Sequence, residues 1–209
     1  MITEIFYAIS SAALIPTEFA LLAALAIVCV MIGRNIRDAW ERARDAKKRR
    51  ALDQAFELRP NATAARDVLN ALESENPRDP ALKALGSLAK ALDDPALLEK
   101  KTREYQIATK AYCDRPERLA RIAPALGLMG TLIPLGPALV GLSQGDLDTL
   151  ANGLVVAFST TVVGLATAIL AGFVAAARKR WARRDFALVT FALERAQDED
   201  DAKKDEAKK

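Results

Sequence analysis

The sequence predicts an all-α membrane protein with three transmembrane helices and long cytoplasmic helical extensions. Three observations predict it: two long uncharged segments, one shorter apolar run, and a complete segregation of Lys and Arg. Residues 122–145 and 149–177 hold no charged side chain. Each is long enough to cross a ~30 Å hydrocarbon layer at ~1.5 Å per helical residue. All 30 basic residues lie in 34–121 or 178–209, and Arg34–Arg50 alone carries eight. A soluble protein with buried helices gives no reason for that partition. Strand signals are absent.

The elements follow in order. Residues 1–15 form an N-terminal segment without Lys or Arg. The first span is 16–36. Phe19–Gly33 is its apolar run, Pro16 and Glu18 suit a first helical turn, and Asn35–Ile36 complete the length. Residues 37–118 form a cytoplasmic helical region. Its beginning, rich in Ala, Arg, Lys and Glu, continues the first helix until Pro60-Asn61. Asp79-Pro80 and Asp94-Pro95 each precede an Ala/Leu run, which places Asp at an N-cap and Pro at N1 of two further helices. Asp114-Arg-Pro116 starts the helix that enters the second span, 119–143. A short loop, 144–148, leads to the third span, 149–177. Residues 178–197 continue it as an amphipathic helix, and DEDDAKKDEAKK, 198–209, reads as a disordered charged tail.

The positive-inside rule puts the N-terminus and the 144–148 loop outside, with both charged regions and the C-terminus in the cytoplasm. The basic cluster follows the first apolar run, unlike the arrangement of a cleaved signal peptide. Cys29 and Cys113 then sit at opposite ends of the molecule, so no disulfide is expected. With two cysteines and no histidine, neither a metal site nor a cofactor is expected, and no nucleophile motif points to an enzyme. Nucleic-acid binding is a poor reading of the basic residues. Acidic residues are interspersed and the net charge is only +3, so contact with the lipid bilayer explains them.

Inside the spans the side chains are small. Gly153, Ala157, Thr160 or Thr161, Gly164 and Ala168 recur at steps of three and four on one face of the third span, the pattern of close helix packing in lipid. Val155, Phe158, Val162, Leu165, Ile169 and Phe173 occupy the other face. The second span mixes Gly127, Gly130 and Thr131 with Pro124, Pro134 and Pro137. These prolines leave the carbonyls of Ala120, Gly130 and Ile133 without a helical donor, which predicts a kinked helix that faces an interior. A threonine hydroxyl can simply bond its own helix. Thr131 and Thr160/Thr161 on two neighbouring helices, beside freed carbonyls, also suit a polar pathway. Neither span carries a titratable group in its core, so a proton pathway here needs a carboxylate from elsewhere.

APALGLMGTL (Ala123–Leu132) followed by NGLVVAFSTTVVGLATAI (Asn152–Ile169) resembles the paired membrane signature of the MotA/TolQ/ExbB proton-channel family. Pro124, Leu126, Gly127, Leu128, Gly130 and Thr131 fit its first part; Ala157, Thr161, Gly164, Leu165, Ala168 and Ile169 fit its second. Three spans resemble the TolQ/ExbB branch. The resemblance implies a ring-forming oligomer, a pentamer of this chain, in the plasma (inner) membrane. It implies an ExbD/TolR/MotB-like single-span partner that supplies a membrane Asp, and passage of protons or sodium that energises work outside. On this resemblance Thr161 matches the pore-facing threonine, Thr131 its counterpart, and Pro124 the proline of conformational coupling. Thr160 stands where the family commonly has Ala or Gly, and Pro134 and Pro137 interrupt a stretch the family usually leaves unbroken. The alternative is a structural helical scaffold whose small faces only pack.

Overall fold

The computed structural model describes residues 12–47, 50, 80–89, 91 and 94–206. Four helices order the chain: α1 (Leu14–Arg44), α2 (Pro80–Ala89), α3 (Pro95–Ser143) and α4 (Leu147–Glu206). No strand occurs among the described residues. α1, α3 and α4 are each long and apolar enough to cross a membrane. The expected helix stop at Pro60-Asn61 lies outside the described residues, as does Asp79.

Local chemistry sets the helix boundaries. Asp94 caps α3 as its sequence predicts: Oδ1 accepts the N–H groups of Ala96 and Leu97 at 3.0 and 3.2 Å, two donors that a helix start leaves without partners. α2 begins at Pro80 and hides Ala81, Leu82, Leu85 and Leu88 on one face. Two boundaries differ from expectation. α4 begins at Leu147, inside the expected 144–148 loop, and it continues to Glu206 through residues expected to be disordered. In that tail Glu199 and Asp200 stand four residues before Lys203 and Lys204, a spacing and order that support helix.

The third difference concerns Asp114-Arg-Pro116, where a helix was expected to begin. α3 instead runs unbroken from Pro95 through Pro116, Pro124, Pro134 and Pro137. Pro116 has no N–H to give the carbonyl of Tyr112. A side chain of another helix supplies the donor: Arg178 Nη1 bonds the Tyr112 carbonyl at 3.1 Å. The helix is uninterrupted at each of these prolines.

The chain divides into two compact units. One comprises Met1–Arg34 with Asp114–Ala177, the other Asn35–Cys113 with Arg178–Lys209. In the first, α1 buries Thr17, Leu21, Ala24 and Val28, a stripe at helical spacing, and small residues dominate the rest of the core: Ala123, Ala138, Ala157 and Ala171. In the second, Leu82, Leu85, Leu88 and Val189 are fully buried, and the charged Arg178 and Asp185 are buried too.

Those charges are partnered. Arg42 on α1 makes two hydrogen bonds to Asp185 on α4, at 2.9 and 2.7 Å, and its guanidinium lies 5.1 Å from the Trp181 ring. This fork geometry is the strong form of ion pair. The guanidinium of Arg178 stacks 3.9 Å over the Tyr112 ring, and Tyr112 donates its hydroxyl hydrogen to Asp38 at 2.5 Å. Burial, then the bond to Asp38, push the Tyr112 hydroxyl from 10.0 up to about 12, against the lowering effect of Arg178 and Arg42. The sign follows from linkage: a proton held more tightly in the folded state stabilises it fully below pH 10, and that contribution disappears as pH rises through about 12. Tyr112→Phe should lower stability by about 1.5 kcal/mol or more, since the lost bond is to a charged acceptor. It should also delete the highest-pH step of the tyrosinate absorbance titration; an unchanged titration would refute the assignment.

Candidate functional site

The candidate site lies in the first unit, on the hairpin of α3 and α4. Its turn is only Gln144–Asp146. Gly145 adopts a positive φ of 78°, which a side chain resists. The N–H groups of Gly145 and Asp146 bond the carbonyls of Leu142 and Gly141 at 3.1 and 2.9 Å, the Schellman closure of a helix end. Asp146 then opens α4. Its Oδ1 accepts the Thr149 N–H at 3.0 Å, and its Oδ2 accepts the Thr149 hydroxyl. Those two bonds hold its carboxyl below the ordinary value. One residue therefore closes one helix and starts the next, and this is why the loop is shorter than expected.

The two helices descend from this turn in close antiparallel contact. A β-carbon placed on Gly141 would meet Thr149 Cβ at 2.9 Å; on Gly153 it would meet Ala138 Cβ at 2.7 Å. On Gly130 it would meet Thr160 Cβ at 2.7 Å, and on Gly164 the backbone of Gly127 at 2.8 Å and the Ala123 carbonyl at 3.0 Å. Gly127, Gly130, Gly153 and Gly164 are thus where the backbones approach. This is how membrane helices gain packing energy when lipid is as apolar as they are. Ala157 is buried in the same seam and Ala168 is half-buried. Pro134 is buried; Pro124 and Pro137 are half-buried. The bulky face from Val155 to Phe173 stays exposed on this chain.

The structure distinguishes the three threonines. Thr160 points into the seam against Gly130, and its hydroxyl donates to the carbonyls of Ala157 and Val156, at 2.9 and 3.1 Å. Thr161 lies around the helix, half-buried, and donates to the Ala157 carbonyl at 3.1 Å. Its Cα is 3.7 Å from where a Gly127 side chain would begin. Thr131 is half-buried and donates to the Leu128 carbonyl at 2.7 Å. The hairpin brings Thr160 and Thr161 against the Gly127–Gly130 turn of α3. Each of the three hydroxyls bonds its own helix and keeps lone pairs to accept a further hydrogen.

Thr167 is a residue that sequence reasoning passed over. It is fully buried, with its hydroxyl on the Val163 carbonyl at 2.7 Å. Its spacing, three after Gly164 and seven after Thr160, is the signal that finds it.

Compared with known proteins, the chain matches the model of the MotA/TolQ/ExbB proton channel family over residues 67–189, more than half its length. No curated protein and no solved structure matches it.

The seam makes a differential prediction. Gly164→Ala meets backbone that cannot yield and should cost about 1–3 kcal/mol of stability. Gly172→Ala meets nothing within 4 Å and should be neutral or stabilising by up to ~1 kcal/mol through helix propensity. Thermal denaturation of both variants in detergent checks this, and equal melting temperatures would contradict the seam.

Proposed function

Because the chain belongs to the MotA/TolQ/ExbB proton channel family, we propose that it is the ring-forming subunit of an ion-driven membrane motor. In this reading several copies, five by family resemblance, surround a single-span partner that brings a carboxylate into the membrane. Protons or sodium ions reach that carboxylate along the α3–α4 hairpins, and their passage energises work outside. The segregation of Lys and Arg supports an N-terminus outside and a C-terminus in the cytoplasm of the plasma membrane. The observation that carries the proposal is the hairpin itself. Two spans devoid of titratable groups hold Thr161 beside Gly127, with Thr131 one residue beyond Gly130. A path that cannot bind a proton on its own needs the carboxylate of another chain.

The roles divide by position. Thr161 and Thr131 offer hydroxyls to the moving ion, with the carbonyls that Pro124, Pro134 and Pro137 release as further acceptors. Thr160 serves the seam more than the path, since Gly130 occupies its side chain. Each ion releases ~2.3 kcal/mol across ~100 mV, so several passages are needed for one substantial movement.

One observation favours the scaffold reading: every threonine hydroxyl is already satisfied on its own helix, as pure packing would require. The two readings separate in proteoliposomes that contain the chain and its single-span partner. Thr131→Val with Thr161→Val should keep the oligomer intact and lower voltage-driven ion flux at least tenfold, about 1.4 kcal/mol of barrier. Undiminished flux in that double variant removes the hydroxyls from the path, and absence of flux with the unaltered chain leaves the scaffold.

A further inference from the structure

In the second unit α3 and α4 enclose an open groove of about 340 Å³. Lys110, Lys179 and Arg183 line it, with Cys113, Ala182 and Phe186 as apolar floor and no acidic residue. Lys110 and Arg183 are exposed, and neither makes a hydrogen bond or ion pair among the described residues. Phe186 is exposed as well. Three other cations of α3 stand one turn after an acid that pairs with them: Arg103 after Glu99, Arg118 after Asp114, Arg121 after Glu117. The groove departs from that pattern. Gln106 stands four residues before Lys110, and Lys179 stands four before Arg183, a spacing at which like charges repel. The cationic excess is therefore kept here against the preference of the helix itself.

The chemistry of the groove narrows what can cover it. The chain's own acidic run, Asp198–Asp201, begins fifteen residues after Arg183 on the same unbroken helix, ~22 Å along its axis. It cannot return to the groove while α4 stays helical. A lipid headgroup fits poorly. Cys113 lies nine residues before the uncharged segment 122–145, ~14 Å along α3, and Arg115, Glu117, Arg118 and Arg121 stand between. A nucleic acid asks for a track of cations beneath its phosphates. The neighbouring groove on α3 instead sets Glu99 and Glu104 among Lys100 and Arg103, and a phosphate backbone has no use for an apolar floor. An acidic peptide uses both the cations and the floor.

We propose that this groove docks an acidic segment of another polypeptide. Its carboxylates meet Lys110 and Arg183, and one aromatic side chain rests on Phe186 and Ala182. Apolar contact at the floor supplies affinity, while the charges select the partner and speed its arrival. Docking here does not require that the chain conduct ions, and it involves residues of the second unit alone.

The test uses the full chain in phosphatidylcholine nanodiscs, with fluorescence anisotropy as readout. The probe is a short fluorescein-labelled peptide rich in Glu that carries one Phe. Wild type should bind it more tightly than the same peptide with Gln for every Glu, and more tightly than the same peptide with Ala for Phe. Lys110→Gln with Arg183→Gln should weaken binding about tenfold, the worth of two exposed charge pairs together. Lys100→Gln with Lys101→Gln removes the same charge elsewhere on α3 and should bind like wild type. Phe186→Ala should bind the Phe and Ala peptides alike. Equal loss in the two neutral pairs overturns the proposal, because any cation then serves. So does absence of binding by wild type, or its equal binding of the Phe and Ala peptides, results that need no variant to fold. It is also overturned if phosphatidylglycerol vesicles or a single-stranded oligonucleotide lose affinity for the Lys110→Gln, Arg183→Gln variant while the peptide binds every variant alike.

Discussion

The approach of Gly127 to Gly164 is the constraint on which the membrane unit depends. Neither residue has a side chain to spend there, so peptide backbone lies against peptide backbone. In a hydrocarbon layer no water is available to be released, and packing must come from contact alone. Once these two residues touch, the seam beside them is obliged to be small, with Ala123 against Gly164 and Ala138 against Gly153. The register follows as well. With Gly127 opposite Gly164, Gly130 falls opposite Thr160, and the chain reverses through a turn short enough to keep both helices together.

Outside the spans a different economy applies. Charged groups are buried there, yet they come in sets that satisfy one another. Arg42, Asp185 and Trp181 make one set; Asp38, Tyr112 and Arg178 make the other. Breaking such a set leaves a buried charge, which costs far more than the set contributes when whole. Arg178 has a second task. The proline four residues after Tyr112 would leave a bare carbonyl, and the arginine covers it.

Much of this could be read from the residues. The uncharged stretches gave the spans, the Asp94-Pro95 pair gave the start of α3, and the glycine and alanine spacing of the third span gave the seam. What stayed hidden depends on residues far apart in the chain. Pro116 reads as a helix start by every local rule, because the donor for the Tyr112 carbonyl it leaves bare comes from Arg178, 66 positions after Tyr112. Asp146 looks like a loop residue until Gly141 and Thr149 are seen on either side of it. Thr160 and Thr161 look alike by type and both bond the Ala157 carbonyl; the resemblance set them apart by register, but not by their neighbours. Only the position of Gly130 sends one into the seam.

The turn at Gln144–Asp146 bears on how any force could leave the membrane. Three residues reach no more than ~11 Å when fully stretched, and here they are folded back on two helix ends. Between α3 and α4, then, the chain offers no arm that could grip, pull or push an object at a distance.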